Sequence, residues 1–310
     1  MYKNKKIGVV VPAYNEEKLI GETISGIPNY VDQIVAVDDV STDETYNKLK
    51  SLQSKNKKLI IVKHETNLGV GGSIMTGYKK LFDRDVDIAV VMAGDNQMDP
   101  QYLPLLLDKI IDGGFDVAKG NRFMHRRELT RMPFYRFIGN IFLTFLTKLA
   151  SGYWSIFDVS NGYVASKTSV LKLVDFGKVK NRFEFETSML INLNIAGAKV
   201  ADVSIPAVYG TEVSDLNVWK VLPGLLWTLF SGFWQRIFYR YVFPNTNPMA
   251  IFLATGLLLM LVGVVIGVWS IVVTGGHPTA STAILAVIPF ILGFQFCLTA
   301  LVTDIQNEPK

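Results

Sequence analysis

Acidic side chains follow short apolar runs of the sequence, where their oxygen atoms could bind a ligand. Asp38 and Asp39 come directly after the run from Ile34 to Val37. Two adjacent carboxylates at that point could accept hydrogen bonds from the N–H of a base or from ribose hydroxyls. Helix capping is the alternative, since Ser41 and Glu44 have the spacing of a capping box. Capping would explain Ser41 and Glu44 but not the aspartate pair.

A further acidic cluster follows the apolar run from Ile88 to Met92. The Asp95 carboxylate and the Gln97 amide oxygen lie two residues apart in a turn, so both could face one hard cation, which prefers oxygen ligands. Asp99 precedes Pro100, a residue suited to begin a helix, and we therefore expect Asp99 to be an N-cap. Asp95 lies too far before that helix for the same explanation.

A glycine-rich turn runs from Asn67 to Ser73. Gly69, Gly71 and then Ile74 do not complete the GxGxxG pattern of a dinucleotide site, and no Gly-Lys-Ser/Thr of a P-loop is present. The turn favours a close approach of the backbone to a ligand, with a simple tight turn as the alternative.

The elements that position these residues alternate between short β-branched runs and longer amphipathic segments. The predicted strands are Ile7 to Val11, Ile34 to Val37, Leu59 to Val62, Ile88 to Met92 and Asp116 to Lys119. Such alternation predicts an α/β fold with a mainly parallel sheet and helices on both faces. Ligands bind at the carboxyl ends of the strands in such sheets. The polar clusters at Pro12, Asp38, Gly94 and Gly120 follow four of these strands, so we expect them to share one edge.

The C-terminal third has a different character. The 310 residues are 49% hydrophobic and 19% charged, against roughly a quarter charged in soluble domains, which excludes a disordered or purely soluble chain. Residues 249–273 and 279–303 are each apolar and exceed the ~20 residues needed to cross a membrane. Their connecting loop, residues 274–278, lacks Lys and Arg, so we expect a transmembrane hairpin with both termini in the cytoplasm.

Two more segments, residues 133–157 and 217–243, combine aromatic and basic residues as interfacial amphipathic helices do, with aromatic core helices as the alternative. We expect a cytoplasmic domain over 1–216, juxtamembrane helices over 217–243, the hairpin over 249–303 and a cytoplasmic tail over 304–310. The net charge of +4 fits an anionic partner or membrane surface without requiring nucleic acid. The single cysteine excludes an intramolecular disulfide.

The order of these motifs resembles family-2 glycosyltransferases with the GT-A fold, a Rossmann-like architecture. With the Gly120-Asn121-Arg122 segment and the hairpin, the whole chain is similar to the polyprenyl-phosphate (dolichyl-phosphate) branch of that family. The resemblance implies a nucleotide site that contains Pro12, Tyr14, Glu16, Asp38, Asp39, Gly69 and Asp95.

The resemblance also implies roles for the metal and the acceptor. The family's Asp-x-Asp metal motif falls on Ala93-Gly94-Asp95, so Asp95 and Gln97 would hold Mg²⁺ or Mn²⁺ with fewer protein ligands. The implied acceptor-phosphate residues are Arg122, Arg131, Arg136 and Asn140. Asp158 falls at an acidic position near the sugar, and the implied catalytic residues are Asp95, Asp158 and Arg122.

The expected reaction moves one sugar from a UDP- or GDP-sugar to a polyprenyl phosphate, either dolichyl or undecaprenyl, with inversion. We expect the reaction at the cytoplasmic face of the cell membrane or of an ER-type membrane, with the lipid bilayer as a partner. No nucleic-acid partner is expected, and the sequence leaves open whether the protein forms a homo-oligomer. A processive polysaccharide synthase is one alternative, but residues 235–239 lack its Gln-x-x-Arg-Trp motif. A non-catalytic nucleotide-sugar-binding membrane scaffold, suggested by Ala93, is the other.

Overall fold

A computed structural model of the protein describes residues 1–122, 134–206, 218–243 and 245–310, except for the side chains of residues 134–138, 140 and 218–220. The chain forms two compact units. The sheet unit comprises residues 1–233 and 309–310, and the hairpin unit comprises residues 234–308.

The sheet unit contains a seven-stranded, mostly parallel sheet. Its strands are β1 (Ile7–Ala13), β2 (Gln33–Asp38), β3 (Leu59–Lys63), β4 (Ile88–Val91), β5 (Val117–Asn121), β6 (Val164–Lys167) and β7 (Val200–Ser204). The strand order is β3-β2-β1-β4-β6-β5-β7, and β6 runs antiparallel to both of its neighbours. All five predicted strands are confirmed. Every residue of β1 is buried, as expected for a strand that is covered on both faces.

Helices cover both faces of the sheet, also as predicted. The helices of the sheet unit are α1 (Ile20–Gly26), α2 (Thr45–Gln53), α3 (Gly69–Phe82), α4 (Leu103–Ile111), α5 (Phe134–Ser151), α6 (Thr168–Leu171) and α7 (Phe185–Ile195), with α8 (Val218–Arg236) ending just beyond the unit. One core cluster contains apolar residues of α1, α2 and α4. The other contains those of α3 and α7. This arrangement leaves the carboxyl ends of β1, β2 and β4 at one edge.

The two predicted caps have different outcomes. The Asp99 cap is confirmed, because its carboxylate accepts a hydrogen bond from Gln101 N–H (2.9 Å) at the start of a 3₁₀ turn, Pro100–Tyr102. The capping box is wrong, since α2 begins only at Thr45. The Ser41 hydroxyl instead accepts a hydrogen bond from Asn15 N–H (3.1 Å). Ser41 therefore links the chain that follows β2 to the chain that follows β1.

The helices α5 and α8 are each packed on one side and exposed on the other. Ala150 of α5 and Leu229 of α8 form a small apolar cluster with Ile191 of α7. Both helices also carry exposed apolar stripes, which are Ile141, Phe142 and Phe145 on α5 and Leu226, Trp227 and Phe230 on α8. Among their described side chains, both helices thus have some that pack in the protein and others that are apolar and exposed.

The hairpin unit consists of a π-helical turn (Ile237–Val242) and the helices α9 (Pro248–Val273) and α10 (Ala280–Gln306). Both helices are long and apolar enough to cross a membrane, and little of their apolar surface is buried. Gly256 and Gly293 allow close contact between them, since a Cβ on Gly256 would lie 2.7 Å from Cys297 Sγ.

Arg236, one of the basic residues in the segment 217–243, is completely buried. Its Nη1 and Nη2 donate to Asp304 Oδ1 and Oδ2 over 2.6 and 3.0 Å. The Tyr241 hydroxyl donates to the same carboxylate over 2.7 Å. This network joins the chain before α9 to the end of α10.

Candidate active site

A cleft of about 360 Å³ lies in the sheet unit, beyond the ends of β1, β2 and β4. Six of the seven predicted nucleotide-binding residues line it: Pro12, Tyr14, Glu16, Asp39, Gly69 and Asp95. The seventh, Asp38, is completely buried and is not among the lining residues. Arg182 and Phe183, which the sequence did not single out, complete one wall of the cleft.

Asp39 holds the glycine-rich turn in place. Its Oδ1 accepts a hydrogen bond from Leu68 N–H (2.8 Å), and its Oδ2 accepts one from Gly69 N–H (2.7 Å). His64, a residue that sequence reasoning missed, places Nδ1 2.7 Å from Asp39 Oδ1 and Nε2 3.0 Å from Thr76 Oγ1. Asp39 therefore shapes the cleft wall in addition to facing the cleft.

Two glycines bring the backbone close to neighbouring segments at the cleft. Gly69 has a φ of +83°, and a Cβ there would lie 2.8 Å from Asn181 O. Gly94 N–H donates to Pro12 O over 3.1 Å, and a Cβ on Gly94 would lie 3.2 Å from that oxygen. At the glycine-rich turn the structure thus shows a close approach between two parts of the chain, and the predicted close approach to a ligand stays a prediction.

Gly69→Ala is expected to destabilise the protein by about 1–3 kcal/mol, because a non-glycine residue is strained at positive φ, and to weaken ligand binding at the cleft. Gly21→Ala is the matched control, since a Cβ on Gly21 of α1 meets nothing within 4 Å and alanine is favoured over glycine in a helix. Thermal unfolding and nucleotide titration of both variants would test this. Equal behaviour of the two variants would contradict the role given to Gly69.

Asp95 lies half-buried in the cleft, and burial raises the pKa of its carboxyl group. Its Oδ1 accepts a hydrogen bond from Gln97 N–H over 3.1 Å, whereas Gln97 is not among the residues that line the cleft. Within the described ranges, no three His, Cys, Asp or Glu side chains group closely enough to hold a metal ion. One carboxylate is still compatible with Mg²⁺, which commonly binds through one or two carboxylates together with substrate phosphates.

Arg122 and Asp158 form an ion pair at the end of β5. Arg122 Nε and Nη2 donate to Asp158 over 2.8 and 3.1 Å, and Arg122 N–H donates over 3.0 Å. Asp158 is completely buried. Burial acts to raise the pKa of Asp158, but the hydrogen bonds and charge of Arg122 outweigh it and hold that pKa below its ordinary value.

This pair does not line the cleft. Because β6 lies between β4 and β5, the end of β5 is two strands from β4, or roughly 10 Å at the usual strand spacing. The structure thus places the predicted catalytic residues Arg122 and Asp158 beside the cleft that contains Asp95.

Two further charged residues, half-buried Asp202 and buried Lys119, lie near the pair. Asp202 accepts hydrogen bonds from Asn121 Nδ2 (2.6 Å) and Phe157 N–H (2.8 Å). The Lys119 ammonium donates to Asn161 O, and burial lowers the pKa of Lys119. These contacts fix the segment that carries Asp158 against β5.

The other residues predicted to bind the acceptor phosphate are Arg131, Arg136 and Asn140. Arg131 lies outside the described residues. Arg136 and Asn140 lie on α5, but their side chains are outside the described part of the structure.

Comparison with known proteins gives consistent results. The family model described as "Glycosyl transferase family 2" matches residues 8–174. A UDP-N-acetylglucosamine–dolichyl-phosphate N-acetylglucosaminyltransferase of Methanococcus voltae is 32% identical over 76% of this chain and 95% of its own length. An undecaprenyl-phosphate mannosyltransferase of Micrococcus luteus is 22% identical over 66% of this chain and 84% of its own.

Among solved structures, glucosyl-3-phosphoglycerate synthase of Mycobacterium tuberculosis with Mg²⁺ and UDP has a TM-score of 0.54 at 18% identity, covering 75% of this chain and 79% of that one. This likeness shows the GT-A-like fold. The chain therefore belongs to glycosyl transferase family 2, as an enzyme that transfers sugars, and its relatives include the dolichyl- and undecaprenyl-phosphate transferases of that family.

Proposed function

We propose that this protein transfers one sugar from a UDP- or GDP-sugar to a dolichyl- or undecaprenyl-type polyprenyl phosphate, with inversion at the sugar. The observation that carries the proposal is a single cleft that joins Pro12, Tyr14 and Asp39 to Asp95, in a chain that also contains two helices apolar enough to span a membrane. A nucleotide-binding cleft and a membrane anchor are the two elements that such a reaction requires.

Asp95 acts on the donor. Its carboxylate faces the cleft beside residues proposed to bind the nucleotide, so a Mg²⁺ or Mn²⁺ ion bound by Asp95 would share the charge of the departing diphosphate. Gln97 remains a proposed second ligand through its amide oxygen. Tyr14 is half-exposed in the cleft, where its ring can pack against a base.

The acceptor needs orientation more than deprotonation. With a second pKa near ~6, a phosphate monoester is largely ionised at neutral pH, so no general base is required. Asp158 is unsuited to that role, because Arg122 holds its pKa low. We therefore assign Arg122 to the alignment of the acceptor phosphate and Asp158 to the orientation of Arg122, with Arg131, Arg136 and Asn140 as further proposed phosphate contacts.

The direct test incubates the purified protein with labelled UDP- or GDP-sugars and polyprenyl phosphate. We expect label in the organic extract, in a product that releases the sugar in mild acid and has the anomeric configuration opposite to that of the donor. Label that remains with the nucleotide for every sugar tested would refute the proposal. A polysaccharide product would indicate a processive synthase instead.

The site of action is proposed to be the cytoplasmic membrane face, with the apolar stripes of α5 and α8 resting on the lipid. Each stripe exposes large apolar side chains, of which Trp227 is 64% and Phe230 59% exposed. The interfacial region of a bilayer favours such aromatic residues. The hairpin loop, residues 274–278, carries no Lys or Arg, which supports cytoplasmic termini.

A chain that ends at Phe233, without the hairpin unit, is expected to sediment with anionic liposomes. Replacing both Trp227 and Phe230 with Ser should release most of it into the supernatant, because interfacial binding scales with the apolar area buried. Replacing Leu105 and Leu173, which are also exposed, with Ser is the matched control and should leave sedimentation unchanged. If the unaltered chain remains in the supernatant, the stripes do not contact lipid.

A further inference from the structure

The segment before α7 is fixed to the glycine-rich turn. Asn181 O accepts hydrogen bonds from Gly71 N–H (2.8 Å) and Gly72 N–H (3.2 Å). A Cβ on Gly69 would lie 2.9 Å from Arg182 Cγ, so only glycine lets Arg182 pack there. This anchoring holds Arg182 and Phe183 in the wall of the cleft.

The start of α3 offers few free donors for an anion. Leu68 N–H and Gly69 N–H donate to the Asp39 carboxylate, while Gly71 N–H and Gly72 N–H donate to Asn181 O. The start of a helix often binds phosphate through such groups, but here four of them already have partners within the protein. Positive charge for a bound diphosphate must come from elsewhere.

The cleft wall is otherwise acidic. Glu16, Asp39 and Asp95 line it, and Arg182 is the only Lys or Arg among its described lining residues. Arg182 is exposed, and its Nη2 donates two long hydrogen bonds to Asn67, 3.4 Å to the backbone oxygen and 3.3 Å to Oδ1. Bonds of that length are weak, so the guanidinium can exchange them for a stronger acceptor at little cost.

We propose that Arg182 binds the diphosphate of the nucleotide sugar. This inference rests on the proposed function and adds a donor-binding residue to it. The planar guanidinium can pair with two phosphate oxygens at once and stays charged at all physiological pH values.

The test compares nucleotides with and without phosphate in the full-length protein. UDP and GDP are titrated by calorimetry, and uridine and guanosine by ligand-observed NMR, using the pair that the unaltered protein binds. Arg182→Ala is expected to weaken diphosphate binding about ten- to a hundred-fold, as expected for a lost charge-assisted hydrogen bond, and to leave nucleoside binding unchanged. Arg182→Lys should restore part of the loss, because it keeps the charge without the fork.

Lys180→Ala is the matched control, because Lys180 is an exposed cation on the same segment but does not line the cleft. It should bind both probes like the unaltered protein. Unchanged diphosphate binding by Arg182→Ala, or an equal loss for diphosphate and nucleoside, would overturn the inference and leave the proposed function standing. An unaltered protein that binds neither UDP nor GDP would refute both.

Discussion

Asp95→Asn is expected to reduce sugar transfer by about 10²- to 10³-fold, the usual cost of removing one group that stabilises charge as it develops in the transition state. The Asp95 carboxylate is the one proposed to bring a cation to the departing diphosphate. Asparagine keeps the shape of the side chain and can still accept the hydrogen bond from Gln97 N–H. The reaction should fail although the cleft remains intact.

The thermal stability of Asp95→Asn, unlike its activity, is not expected to fall. Burial raises the pKa of Asp95, which means that the folded protein without ligand disfavours the charged carboxylate. Neutral asparagine removes that cost, so the unfolding temperature should stay level or rise. Asp99→Asn is the control, because asparagine is also a good N-cap and Asp99 does not line the cleft. Transfer near the unaltered rate by Asp95→Asn in saturating Mg²⁺ would refute the assignment.

The sequence could predict that Pro12, Asp39 and Asp95 lie close together, because the strands that carry or precede them are parallel neighbours in the sheet. Each residue follows a β-branched run, and the three runs form the adjacent parallel strands β2, β1 and β4. Parallel strands end at the same edge, so residues that follow them meet without any long-range information. The sequence pattern thus determined most of one wall of the cleft.

The position of Arg122 could not be predicted in the same way. The strand β6 contains only four residues, Val164–Lys167, and nothing in so short a run shows that it enters the sheet in the antiparallel direction. By pairing with β4 and β5 it separates their ends. The sequence predicted one site at this edge, whereas the structure has a cleft at the ends of β1, β2 and β4 and an ion pair beside it.

Local sequence patterns also could not predict contacts between residues that are far apart in the chain. Arg182 lies 115 positions from Asn67, its partner at the cleft, and no spacing rule joins the two. Arg236 and Asp304 lie 68 positions apart, before and after two apolar spans. An arginine before such a span has the pattern of a positive flank, and only the folded hairpin shows that Arg236 has an acidic partner.

Arg122→Ala is expected to have the second large effect, on both stability and activity. It leaves the Asp158 carboxylate completely buried without its guanidinium partner. Breaking a buried ion pair costs about 3–5 kcal/mol, and we expect about 3 kcal/mol because the Arg122 side chain is 35% exposed. For a domain of this size that corresponds to an unfolding temperature lower by roughly 6–12 °C. Transfer should fall about 10²-fold, since the acceptor phosphate loses a charged donor.

The chain contains a closely matched control in the ion pair between Lys167 and Asp116, 2.9 Å apart, whose cation is 33% exposed and whose carboxylate is 20% exposed. The carboxylate of this pair is more exposed than that of Asp158. The pair also lies farther from the cleft, because Lys167 ends β6 at the opposite edge of the sheet. Lys167→Ala should cost less than about 1 kcal/mol, as partly exposed pairs do, and should leave transfer unchanged.

Arg122→Lys separates the two effects of Arg122. Lysine retains a positive charge beside Asp158, so most of the lost stability should return. It lacks the planar guanidinium that can pair with two phosphate oxygens, so the KM for polyprenyl phosphate should stay above that of the unaltered protein. Thermal unfolding and acceptor titration of the three variants measure these quantities independently. If Arg122→Lys recovers activity and stability together, Arg122 acts only by neutralising Asp158. If Arg122→Ala unfolds at the same temperature as Lys167→Ala, the ion pair at β5 stabilises the protein no more than the partly exposed pair does, and Asp158 must hold its charge through other contacts.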